Sequence, residues 1–160
     1  MGEVLRKRLK TTKFENPQHE AVLSLLIAAS HVRSVTDKVA AKAGISTEQY
    51  NILRILKGVY PKGHACGEIG NRMIDRSPDI TRRIDALEKA GYVERMRSED
   101  DRRVVITRIT EKGIALLGEV NPLLVLAEEG RSKKLTDAEA SELTRICEKL
   151  FEDDVDCASQ

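Results

Sequence analysis

The chain has 160 residues, 33% of them charged and 41% hydrophobic, with 27 Lys and Arg against 26 Asp and Glu for a formal charge of +1. Near-neutrality lacks the basic balance usual in nucleic-acid binders, but the average hides a division: residues 1–13 carry +4, 14–134 carry +3 and 135–160 carry −6. The counts exclude more than the charge does: no apolar run nears the roughly 18 residues of a membrane span, the three cysteines are too few and scattered for a disulfide framework or zinc finger, and five aromatics without Trp leave no base-stacking platform.

From Asn16 the pattern predicts a long helix, with Asn16 as cap, Pro17 at the first helical position and Gly44 beyond the end. Val22, Leu25, Leu26, Ala29, Val32, Val35, Val39 and Ala43 recur at helical spacing and are expected to face inward. A second helix opens at Ser46-Thr47-Glu48-Gln49, a capping-box spacing flanked by Ile45 and Tyr50 as a hydrophobic staple. It stops at Gly58, before the turn Tyr60-Pro61-Lys62-Gly63.

Two short helices follow, over 66–74 and 78–90. The second is expected to start with Ser77 as cap and Pro78 at its first position, and to end at Gly91. Ile80, Ile84 and Leu87 share one face and leave Asp79, Thr81, Arg82, Asp85 and Lys89 outward. Two close helices of this kind make a helix-turn-helix. After Gly91 the period changes. Val93–Arg97 and residues 104–109 are β-branched and charge-alternating, split by the acidic turn Ser98-Glu99-Asp100-Asp101. A hairpin beside a helix-turn-helix is a winged helix.

Helical period then resumes, with Thr110 as cap, Ile114, Leu117, Val120, Leu124 and Ala127 inward, and Pro122 placed to kink or interrupt the helix. The last helix opens with a second capping box, Thr136-Asp137-Ala138-Glu139, and carries Leu143, Ile146, Cys147 and Leu150 on one face. The expected fold is mainly α (α+β): a winged helix-turn-helix with a two-stranded β-wing, and N- and C-terminal helices forming a dimerisation region. The division reads as a basic segment and dimerisation helix over 1–45, a winged helix over 46–113, and C-terminal helices with an acidic tail over 114–160. Residues before 25 and after 120 carry apolar faces that a winged helix of about 65 residues cannot cover. Two chains packing them together would form a homodimer.

The residues from the recognition helix onward resemble the MarR (multiple-antibiotic-resistance regulator) family of bacterial transcription factors. Ile80, Arg82, Leu87, Gly91 and Tyr92 fill successive places of the family pattern, followed by Asp101-Arg102-Arg103 and then Thr110 and Gly113. Asp79 departs from it, since the family prefers a small residue there. Asp79 either accepts a hydrogen bond from a cytosine amino group or caps the helix and stays off the DNA.

The resemblance implies a ligand-responsive regulator, a repressor rather than an activator, that binds an inverted-repeat double-stranded DNA operator as a homodimer. Helix 78–90 would lie in the major groove with Ser77, Pro78, Asp79, Thr81 and Arg82 at its leading end, and Arg83 nearer the backbone. The wing, 94–108, would reach the minor groove. There Asp101 is expected to hold the Arg103 side chain in a fixed rotamer, with Arg102, Arg97 and Arg95 as phosphate contacts. Family members release DNA when a small phenolic or anionic aromatic effector binds. His31 and Tyr50 either line such a pocket or serve as hydrogen-bonded core residues.

Cys66, at a helix start, is either an inert cap or a redox-sensing thiol. A winged helix that binds protein instead of DNA is the other alternative. The residues suggest neither a cofactor nor a metal site, since His19, His31 and His64 are isolated from one another. No phosphate loop or nucleophile motif points to an enzyme. Residues 1–13 are basic with no apolar region following, so the expectation is a cytoplasmic protein without a signal peptide or membrane association.

Overall fold

The computed structural model describes residues 2–76, 79–98 and 101–156. The chain divides into two compact units, 1–121 and 122–160. Among the described residues ten elements run in order. They are α1 (Glu3–Leu9), α2 (Pro17–Lys42), α3 (Thr47–Gly58), β1 (His64–Ala65), α4 (Cys66–Asn71), α5 (Ile80–Lys89), β2 (Val93–Arg97), β3 (Val105–Ile109), α6 (Glu111–Ser132) and α7 (Asp137–Asp156).

Local chemistry sets most of the boundaries. Asn16 accepts the His19 backbone N–H at 2.8 Å and starts α2. Ser46 and Gln49 form the reciprocal capping box of α3, with Ile45 and Tyr50 both buried beneath it. At the end of α5, Gly91 adopts φ 78°. Its N–H donates to the Glu88 carbonyl at 2.8 Å, and the Tyr92 N–H reaches the Leu87 carbonyl at 2.9 Å. This reversal needs a left-handed residue, which Gly supplies without steric cost. Thr110 caps α6, its hydroxyl accepting the Gly113 N–H at 3.2 Å.

The first unit buries its core between α3, α4, α5, the sheet and the start of α6. Ile52, Leu53, Leu56, Ile69, Ile84, Leu87, Val93, Ile109 and Val120 are all 2% exposed or less. The sheet has order β1-β3-β2 and is antiparallel throughout, with Arg95 opposite Thr107 and His64 opposite Thr107 on the other side. The wing is thus a two-stranded hairpin extended by a third strand. β1 spans only two residues, too few for any alternation to show in the sequence.

Other expectations change as well. A short helix, α1, forms within the basic N-terminal segment and buries Leu5. The helix after β1 ends at Asn71 rather than 74. α6 continues through Pro122 without interruption. The inward stripe of α2 is only partly covered: Ala40 is the helix's one buried residue, Leu25, Val35 and Val39 are half-buried, and Val22, Leu26 and Val32 are exposed. Within the second unit, Thr136 and Glu139 form the expected capping box. Leu143, Ile146 and Leu150 nevertheless stay exposed on α7, and Cys147 is only half-buried. None of the described helices is long and apolar enough to cross a membrane.

Candidate nucleic-acid interface

The helix α5 is strongly amphipathic. Ile84 and Leu87 are buried against the core while Thr81, Arg82 and Asp85 are exposed. Its described part has Ile80 as the first helical residue and Asp79 in the N-cap position. Ser77 and Pro78 lie outside the described residues. Asp79 makes no capping hydrogen bond to the backbone. Its carboxylate instead stands 3.9 Å from the Arg82 guanidinium, a loose pairing that leaves Arg82 85% exposed. The Thr81 hydroxyl lies 3.7 Å from the Cys66 sulfur. Cys66 is not the cap of its helix: Ala65 holds that place and Cys66 is the first helical residue.

The cations expected at the DNA fall into two groups. Arg83 is only 25% exposed, and its guanidinium pairs with Glu48 on α3 at 2.7 Å. Glu48 shares its other oxygen with Arg33 of α2, also at 2.7 Å. Burial by itself would raise the Glu48 pKa. Hydrogen bonds from its backbone N–H, Ser46 and Arg83, with the positive charge of Arg83, outweigh it and hold the carboxyl at about 2.

Arg95, expected at phosphate, is 26% exposed and is clamped by Asp85 and Glu88 of α5, each at 2.6 Å. Burial lowers its pKa, but the two carboxylates more than reverse this and raise it. Arg108 is paired with Glu94 across the hairpin. Arg83, Arg95 and Arg108 therefore have intramolecular partners, and Arg95, expected at phosphate, here forms a clamp between β2 and α5.

Arg82, Arg102 and Arg103 remain exposed, and among the described residues neither wing arginine has an ion-pair partner. At the tip the Ser98 N–H donates to the Val104 carbonyl, and the Val104 N–H to the Asp101 carbonyl, both at 2.9 Å. The Asp101 carboxylate accepts the Arg103 backbone N–H at 2.9 Å. The expected grip of Asp101 on the Arg103 side chain is thus replaced by a grip on its backbone, an Asx-type turn that leaves the guanidinium in solvent. Arg97 donates to the Arg102 carbonyl at 3.2 Å and steadies the same tip.

The two residues proposed for an effector part company. Tyr50 is buried; its hydroxyl donates to Asn121 at 2.8 Å and accepts from Arg54 at 3.0 Å. His31 is exposed on α2 and has no core role within the single chain.

Sequence reasoning missed the network through Arg33, Glu48, Asp75 and Arg83. Its pairs are 15 to 42 residues apart in the chain, and no local spacing rule reports such contacts.

A helix-turn-helix whose second helix exposes an arginine at its start, joined to a wing with exposed arginines at its tip, defines a winged-helix DNA-binding protein. The model of the MarR family matches residues 45–105. The transcriptional regulator MhqR of Bacillus subtilis is 36% identical over 108 residues, 64% of this chain and 72% of that protein. A MarR transcription factor from Planctomyces limnophilus is 33% identical, with 85% of this chain and 98% of that chain covered at a TM-score of 0.65. The DNA complex of Sco3205 from Streptomyces coelicolor, 22% identical, shares the fold at a TM-score of 0.76 over 88% of this chain and 91% of that one. This chain belongs to the MarR family of transcriptional regulators and is not an enzyme.

Proposed function

We propose that this chain is a cytoplasmic, homodimeric, ligand-responsive repressor that binds an inverted-repeat operator. The observation that carries the reading is the division among the arginines. Arg82 on α5 and Arg102 and Arg103 at the wing tip project into solvent, while Arg83, Arg95 and Arg108 of the winged helix are neutralised by carboxylates.

Arg82 enters the major groove beside Thr81, where a guanidinium forks onto guanine or pairs with phosphate. Asp79, and Ser77 and Pro78 just before it in the sequence, are part of the proposed DNA contact. Arg103 enters the minor groove, where narrow A·T-rich segments attract cations. Asp101 and Arg97 hold the turn, and Arg102 meets phosphate.

The uncovered faces of α2 and α7 support a homodimer, which places two recognition helices about one DNA turn apart. Repression needs only occupancy of the operator, whereas activation needs an additional surface for polymerase. A small phenolic or anionic aromatic effector acts near α2, where His31 is accessible, and releases the DNA. Selection of bound duplexes from a random-sequence pool tests this reading. An inverted repeat bound by two chains, weakened by a phenolic compound, is the expected result. An asymmetric single site, or no enrichment, overturns it.

A further inference from the structure

Arg82 and Arg83 are neighbours on the first turn of α5, yet their environments are opposite. Arg82 is 85% exposed, and Arg83 is 25% exposed with its guanidinium on Glu48. Glu48 is itself held in place. It occupies the first turn of α3, where a carboxylate suits the helix dipole, and its second oxygen is taken by Arg33 of α2. Arg33 in turn pairs with Asp75, in the segment that leads into α5. That segment is fixed a second time by the Ile74 N–H, which donates to Asn51 of α3 at 3.0 Å. Two arginines and two carboxylates therefore tie α2, α3 and the approach to α5 to the first turn of α5.

Resting on the proposed DNA-binding role, we propose that Glu48 is a positioning residue that withholds Arg83 from the phosphate backbone and fixes the pitch of the recognition helix. The device limits each chain's phosphate contacts to the exposed arginines. A free guanidinium one residue from Arg82 would add sequence-independent affinity, because each phosphate neutralised releases counterions. Residues 76–108 sum to +2 with Arg83 counted; its pairing with Glu48, outside that stretch, cancels one of those two charges, and removing the carboxylate restores it. Glu48 thus trades non-specific affinity for discrimination.

The test uses the full-length protein and a mixed-sequence duplex of about 30 base pairs, with binding measured from about 50 to 200 mM salt. Measurable, salt-sensitive binding by the wild type is the control for the DNA-binding reading itself; its absence overturns that reading and the inference with it.

Given that control, Glu48→Gln is expected to bind the mixed duplex more tightly at low salt. It also steepens the log–log salt slope by about 0.9 for each bound chain, an extra loss of about threefold per chain over that salt range. Adding Arg83→Met to Glu48→Gln should return the slope to the wild-type value. Mere loosening of the fold weakens binding without steepening the slope, so an unchanged or shallower slope in folded Glu48→Gln overturns the proposal. Arg83→Met alone covers the case in which Glu48→Gln does not fold. It should weaken binding to a selected operator several-fold at constant slope, and a slope shallower by about 0.9 would show that Arg83 already touches phosphate.

Discussion

The winged helix and the long helices that flank it treat their apolar residues in opposite ways. Within α3, Ile52, Leu53 and Leu56 are completely buried, and α5, β2 and β3 add Ile84, Leu87, Val93 and Ile109 to the same core. Over its 26 residues α2 buries one, Ala40, and on α7 Leu143, Ile146, Leu150 and Phe151 are 45% to 59% exposed. The first pattern is a core closed within the chain. The second is a set of stripes at helical spacing that stay largely exposed among the described residues, the faces given to the partner chain in the proposed homodimer. On the proposed homodimer, stability and assembly reside in different regions, and substitutions can separate them.

The sharpest separation comes from pairing Leu53→Ala with Leu26→Asp. Leu53 has no solvent exposure, so its truncation leaves a cavity and costs about 2–5 kcal/mol, read as a lower midpoint in urea unfolding. Leu26 is 59% exposed. Its replacement by Asp should leave the secondary structure and the fold of the winged helix intact while shifting the protein from dimer to monomer in sedimentation. A Leu26→Asp protein that stays dimeric would move the assembly surface away from α2.

The ion network is one of the ties between α2 and the winged helix, beside the Thr47–Asp37 hydrogen bond, and acid distinguishes it from the apolar core. The Glu48 carboxyl titrates at about 2 in the folded chain against an ordinary 4.5. A carboxyl whose folded pKa is depressed contributes its full stabilisation above the unfolded value and loses it as pH falls through the folded one. A shift of this size corresponds to about 3 kcal/mol. Gln retains part of the hydrogen bonding, so the wild type should exceed Glu48→Gln by about 2 kcal/mol near pH 7. That gap should close between about pH 5 and pH 2, whereas the deficit of Leu53→Ala should not titrate with Glu48 at all. Unfolding curves across this range check the contrast; a constant gap for Glu48→Gln would detach Glu48 from the network.

What was legible in the sequence follows the range of the interactions. Caps and helix ends are local: Asn16 with His19, Ser46 with Gln49, Thr136 with Glu139, and Gly91 after α5 all appear where their spacing places them. The family pattern carried the Thr110 and Gly113 pair, and the structure gives its physical reason. A Cβ on Gly113 would come within 2.3 Å of the Tyr92 carbonyl oxygen. Long-range partners were not legible. The two-residue β1 exists only because β3 is there to pair with it.

In the sequence Arg95 is one more wing charge; in the fold Asp85 and Glu88 stand on either side of its guanidinium. Arg83 likewise gives no hint of Glu48, 35 positions earlier in the chain. Helical periodicity locates the apolar faces of α2 and α7 but cannot tell a face covered within the chain from one left for a second chain, as proposed here, since a stripe looks the same whichever molecule buries it.

The smallest effects distinguish a placed arginine from a clamped one within the wing. Arg103 projects from a turn whose backbone is held by Asp101, so Arg103→Ala should leave the turn intact and remove one phosphate-neutralising cation per chain. Operator affinity should fall modestly, and the log–log salt slope should become shallower by about 0.9 per chain. Arg95 is held by Asp85 and Glu88 and, on the proposed division of the arginines, stays off the phosphates. Arg95→Met should therefore lower affinity by releasing β2 from α5, yet leave the slope near its wild-type value. The two variants differ in net charge by nothing, so bulk electrostatics cannot separate them. A shallower slope for Arg95→Met, or an unchanged one for Arg103→Ala, would mean that exposure and pairing in the free protein do not decide which arginines meet the DNA.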